Sequence, residues 1–131
     1  MGYLIETNIY ILNRRPKEVI ARFKRFEPGM IGVSTITVSE LQYGAAKSRS
    51  VAMNRSRLDA FLAPLALLPY DDLAALAYGR IRFELERVGQ PIGPLDQLIA
   101  AQAVSRRLVL VTNNVREFQR IEGLQVENWA E

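Results

Sequence analysis

Four acids stand at points where they could act together: Glu6, Glu40, Asp96 and Glu117. Each adjoins the junction between an apolar run and a helical pattern. Carboxylates gathered in one place hold hard divalent cations, because oxygen ligands suit Mg²⁺ and Mn²⁺. The remaining composition pushes the same way. The 131-residue chain has neither His nor Cys. A Ser-His-Asp triad, a His general base, a thiolate nucleophile and sulfur-ligated zinc are therefore excluded. Thr7 and Asn8 beside Glu6, and Thr112, Asn113 and Asn114 ahead of Glu117, supply hydroxyls and amides able to orient water or outer ligands.

Each acid also has a plainer explanation. Thr37-Val38-Ser39-Glu40 fits a capping box, with Thr37 as cap and Glu40 reaching back to its amide. Asn114-Val115-Arg116-Glu117 fits the same logic. Asp96, early in its helix, complements the helix dipole. Glu6 is the exception, since a carboxylate ending a buried strand has little structural use. The spacing alone leaves both readings open.

The net charge is +3 and the pI is about 9.5. Scattered Arg and Lys usually form a solvated surface. Yet setting the four acids aside leaves ten negative residues against 17 positive ones. A basic shell around an acidic hole suits a phosphate-rich partner.

The elements that must position these acids are short apolar strands alternating with amphipathic helices. Strands are expected at Tyr3–Ile5, Ile31–Ser34, Leu67-Leu68, Leu108–Val111 and Leu124–Glu127. Helices are expected at Ile9–Leu12, Pro16–Phe26, Val38–Lys47, Asn54–Leu65, from Asp71 or Asp72 to Val88, from Pro94 through Ala103, and at Asn114–Arg120. Leu41 and Ala45 should face inward on the third of these, and Leu73, Leu76, Ile81 and Leu85 on the fifth. Pro94 suits a first helical position. This alternation specifies an α/β fold, an α/β/α sandwich around a mainly parallel sheet, whose doubly buried strands read as continuous apolar runs. No repeat or linker divides the chain, so residues 1–131 are expected to form one domain. No run approaches a membrane span and the start lacks signal-peptide features, which points to the cytoplasm. In open α/β sheets, ligands bind beyond the carboxyl ends of strands, where these acids fall. A receiver-like domain fits poorly, lacking paired acids after the first strand, and no glycine-rich loop supports a Rossmann nucleotide site.

Leu4-Ile5-Glu6-Thr7-Asn8 resembles the strand-end motif opening PIN-domain proteins, specifically the VapC toxins of bacterial toxin–antitoxin pairs. Three more segments are similar in order: Ser34 to Leu41 with Tyr43-Gly44, Gly89 to Asp96, and Val111 to Phe118. The ending, Leu124 to Trp129, is similar too, so the resemblance spans the chain. It implies a PIN-like three-layer fold and a Mg²⁺- or Mn²⁺-dependent endoribonuclease, with one branch cutting initiator tRNA in the anticodon loop. It further implies a VapB-type antitoxin seated beside the Pro16–Phe26 and Val38–Lys47 helices, operator DNA bound through that antitoxin, and a homodimer within the larger complex. Carried over by motif, Glu6, Glu40 and Asp96 take the three acidic metal positions. The fourth falls on Asn114 or Glu117, with Thr7, Asn8, Thr112 and Asn113 beside them. One position departs: the family has Asp where this chain has Glu6. The extra methylene moves the carboxylate outward by roughly 1.5 Å, and Mg²⁺ tolerates little distortion. Weakened metal binding or slowed cleavage is the expectation. The alternative is a catalytically silent module that binds antitoxin and DNA.

Overall fold

The structure is a computed structural model that describes residues 1–6, 21–27 and 29–129. Five strands form one sheet: β1 (Tyr3–Ile5), β2 (Ile31–Ser34), β3 (Ala66–Leu68), β4 (Val109–Val111) and β5 (Val126–Glu127). Their order is β3-β2-β1-β4-β5, and every pairing is parallel. The helices are α1 (Thr35–Ala46), α2 (Val51–Leu62), α3 (Asp72–Arg87), α4 (Pro94–Arg106) and α5 (Val115–Phe118).

Alternate strand residues point to opposite faces, and two separate cores result. Leu4 and Leu110 pack with Ala77, Ile81 and Leu85 of α3 and Ile99, Ala100 and Ala103 of α4. Ile5, Val33 and Val111 pack on the other face with Trp129, Phe23, Phe26 and Phe61. A sheet with a core on each face is the three-layer sandwich expected. Among the described residues no helix is long and apolar enough to cross a membrane.

Several expected boundaries move. α1 begins at Thr35 rather than Val38, because Ser34 is the cap and its hydroxyl accepts the Ile36 amide at 2.9 Å. Thr37 is therefore a buried helical residue, and Glu40 lies in the second turn with no capping box to serve. Leu41 and Ala45 do face inward. α2 starts and ends three residues early, at Val51 and Leu62. β3 gains Ala66, β4 starts at Val109 and β5 is confined to Val126–Glu127. Asp71 caps α3 by accepting the Ala74 amide at 3.0 Å.

The phase of α3 is the larger correction. Ile81 and Leu85 are buried as expected, but Leu73 is 54% and Leu76 77% exposed, while Ala74 and Ala77 face the core. Ala100, Ala101 and Ala103 of α4 are buried in the same core as Ala77. Small residues on both sides let the two helices approach closely, and a leucine pair at that contact would hold them apart. The expected Ile9–Leu12 helix lies outside the described residues, and of Pro16–Phe26 only residues 21–26 are described, 21–23 of them helical.

Candidate active site

The chain leaves β1 for β2 and β3 on one side and later returns to β4 and β5 on the other. The strand order thus reverses between β1 and β4, and a crevice opens at their carboxyl ends, the usual ligand position in such sheets. Glu6 follows β1 and Thr112 follows β4, so both project from this point. The Glu6 amide extends the ladder by donating to the Val111 carbonyl at 2.9 Å. Its side chain is only 3% exposed, and Oε2 accepts the Thr112 hydroxyl at 2.9 Å. Thr112 Oγ1 in turn accepts the Asn114 amide at 2.9 Å. One buried hydroxyl thereby positions the carboxylate and shapes the following turn.

Asp96 sits in the first turn of α4, behind Pro94 at the helix start and the capping Gly93. Its carboxyl is pushed up to about 7, first by burial, then by the charges of Glu6 and Glu117, by a hydrogen bond with Glu117 and by the charge of Glu40. Three other carboxylates bear on this one group, although they arrive from the end of β1, the middle of α1 and the start of α5. Gly93 belongs to the same assembly, since a Cβ there would stand 3.3 Å from Asp96 Oδ2.

Glu117 lies in the first turn of α5, as expected, but not in a capping box: Asn114 makes no side-chain cap bond. Instead Asn114 Nδ2 donates to Glu117 Oε2, and Glu117 Oε1 accepts the Gly93 amide at 3.0 Å. Asn113 is exposed and accepts a long bond of 3.4 Å from Asn128. Thr7 and Asn8 lie outside the described residues. The structure therefore brings together Glu6, Glu40, Asp96, Glu117, Thr112 and Asn114.

Sequence reasoning passed over Ser34 and Gln102. The Ser34 hydroxyl donates to Gln102 Oε1, while Gln102 Nε2 donates to the Leu68 carbonyl at 3.1 Å. This buried tie joins β2 and β3 to α4, the helix that carries Asp96. Ser34 carried a usable signal, a capping residue type directly after an apolar strand. Gln102, inside an alanine-rich helix, carried none.

The donor set is all oxygen and strongly negative, which matches a hard divalent cation in kind. Among the described residues, no three acids already surround one point closely enough to hold an ion. The crowding around Asp96 supplies the electrostatic reason for a cation there, and closure of the side chains on it would complete the site.

A sandwich of this topology with acids meeting beyond β1 and β4 has known counterparts. The PIN domain profile matches residues 3–124, and the chain belongs to that family. Among its relatives are the tRNA(fMet)-specific endonuclease VapC of Salmonella typhimurium, 43% identical over 132 residues and covering 99% of both chains, and Ribonuclease VapC2 of Haemophilus influenzae, 44% identical with the same coverage. The fold superposes on a chain of the DNA-bound VapBC structure from Salmonella typhimurium with a TM-score of 0.92, at 42% identity and 98% coverage of both chains. Within the PIN family the chain thus belongs to the VapC ribonucleases, and nucleases of this family work with divalent cations.

Proposed function

We propose that this chain, as a single domain over residues 1–131, is the toxin of a type II pair: an endoribonuclease that cleaves tRNA with Mg²⁺ or Mn²⁺, initiator tRNA at its anticodon loop being the favoured substrate. The observation that carries this reading is the joint action of Glu6, Glu40 and Glu117 on Asp96. Glu6, Glu40 and Asp96 would hold the cation, with Thr112 and Asn114 orienting the acids through their hydrogen bonds to Glu6 and Glu117 and with Thr7 and Asn8 next to Glu6 in the sequence. Such a cation, when bound, activates water for attack on the phosphodiester and offsets charge on the departing oxygen.

The protein's own part is placement. Thr112 holds Glu6 in the crevice, and the β1 and β4 ends keep its backbone fixed. Asp96 gives up its proton when positive charge arrives. The excess of basic residues outside the cluster draws the RNA backbone toward it. The named relatives favour the substrate and the partners: a tRNA(fMet) endonuclease, and a VapBC assembly on DNA. A VapB-type antitoxin beside α1 and the preceding segment, operator DNA reached through it, a homodimer and a cytoplasmic location complete the proposal. An antitoxin Arg reaching the carboxylates would inhibit by charge pairing.

The test is cleavage of a tRNA panel with each metal, with cut sites mapped, using the chain as it stands and the Glu6→Asp form. One dominant cut in the initiator anticodon loop is expected. If both forms leave every RNA intact, the chain is a silent module that binds antitoxin and DNA, a reading that Glu6 itself favours.

A further inference from the structure

Both oxygens of Glu117 are engaged by protein groups. Oε1 takes the Gly93 amide at 3.0 Å, Oε2 takes the Asn114 side-chain amide, and the carboxylate also shares a hydrogen bond with Asp96 itself. Gly93 is the cap of α4, three residues ahead of Asp96, and it packs so tightly that a Cβ would meet Asp96 Oδ2 at 3.3 Å. The Gly93 carbonyl also accepts the Gln97 amide at 3.0 Å, so the Gly93 backbone anchors the turn that carries Asp96. On the other side, Asn114 is tied through its main-chain amide to Thr112, and Thr112 to Glu6. A continuous line of hydrogen bonds thus runs from Glu6 through Thr112, Asn114 and Glu117 to the start of the helix bearing Asp96.

We propose that Glu117 is a positioning residue. Its carboxylate fastens the Gly93 end of α4 to the turn after β4, which sets Asp96 opposite Glu6 across the crevice, and it does not join the cation's ligands. This rests on the metal-dependent nuclease reading above. The geometry requires a planar group with two polar atoms and the reach of a Glu. Glutamine satisfies it: its oxygen accepts Gly93 N–H, and its amide donates to Asn114 once that side-chain amide is reversed. Aspartate is too short to span both partners, and alanine removes the clamp. Groups that orient metal ligands without touching the metal typically change affinity or activity by about 10–100-fold.

The experiment compares Glu117→Ala, Glu117→Asp and Glu117→Gln with the parent. It reads hydrogen exchange at the Gly93 amide in metal-free protein, the Mn²⁺ dissociation constant, and tRNA cleavage. Ala and Asp are expected to speed Gly93 exchange markedly, and to weaken Mn²⁺ binding and kcat by about 10–100-fold. Gln is expected to keep Gly93 protected and to recover most of both losses. Unchanged Gly93 exchange in the Ala and Asp forms overturns the clamp. So does a Gln form that protects Gly93 yet binds Mn²⁺ as poorly as Ala, since the charge itself would then be what matters. If Ala does not fold, the Asp and Gln pair makes the same comparison. Absence of cleavage by every form, parent included, counts against the nuclease reading and leaves the exchange and Mn²⁺ results to judge the clamp.

Discussion

Thr112 donates its hydroxyl to Glu6 Oε2 across 2.9 Å, joining residues 106 positions apart in the chain. Both are buried, so the bond is shielded from competing water. Thr112→Val keeps the shape and removes the donor. It should destabilise the fold by about 1–3 kcal/mol, the usual penalty for stranding a buried polar group. Cleavage should slow by about 10–100-fold. Thr112→Ser, which keeps the hydroxyl, should stay close to the parent in urea unfolding and in RNA cleavage.

Glu6→Asp withdraws the carboxylate by one methylene from the Thr112 contact and toward the reach usual in the family. The expected outcome is faster cleavage and tighter Mn²⁺ binding. Rates measured on the same tRNA at saturating metal check this, and equal rates for the two forms would sink the idea that Glu6 attenuates the chain.

Stability should respond to pH through Asp96. Its folded value of about 7 lies above the ordinary 3.8, so the folded protein holds this proton more tightly than the unfolded chain. That advantage is whole below about pH 4, erodes as the pH climbs, and is gone above about 7. In metal-free buffer the melting temperature of the parent should therefore fall relative to Asp96→Asn across this window. Saturating Mn²⁺ at pH 8 should raise the parent's melting temperature by mass action and leave Asp96→Asn nearly unmoved. A parallel pH response in the two forms would contradict the assignment.

Trp129, the chain's single tryptophan, closes the second core. It is 1% exposed, stacks on Phe26 at 5.4 Å, contacts Tyr3 at 5.2 Å, and donates to Glu127 Oε1 at 3.1 Å. Trp129→Ala should cost about 3–5 kcal/mol, read by circular dichroism during urea unfolding. Trp129→Phe should recover much of that loss.

Much of this was legible in the residues. β1 and β2 read correctly because doubly buried strands leave unbroken apolar runs, and Pro94 announced α4. Glu6 and Asp96 could be placed because each follows a clear boundary. The phase of α3 was not legible, since alanine is a weak hydrophobe and nothing local marks Ala74 and Ala77, rather than Leu73 and Leu76, as the inner positions. Arg107 ends α4 in the left-handed region at φ 54°, where glycine or asparagine is usual, so nothing flagged that turn. The bond from Gly93 to Glu117 spans 24 positions and depends on how α4 and α5 meet, which no local pattern encodes.

The place of β1 in the middle of the sheet has a consequence for biosynthesis. Its neighbour β4 comes more than a hundred residues later, at Val109–Val111. Such distant pairing is slow to form, and a nascent chain emerging from the ribosome holds Glu6 without Thr112 or Glu117 for most of its synthesis. A nuclease site assembled from both ends of the chain stays incomplete until synthesis is nearly finished.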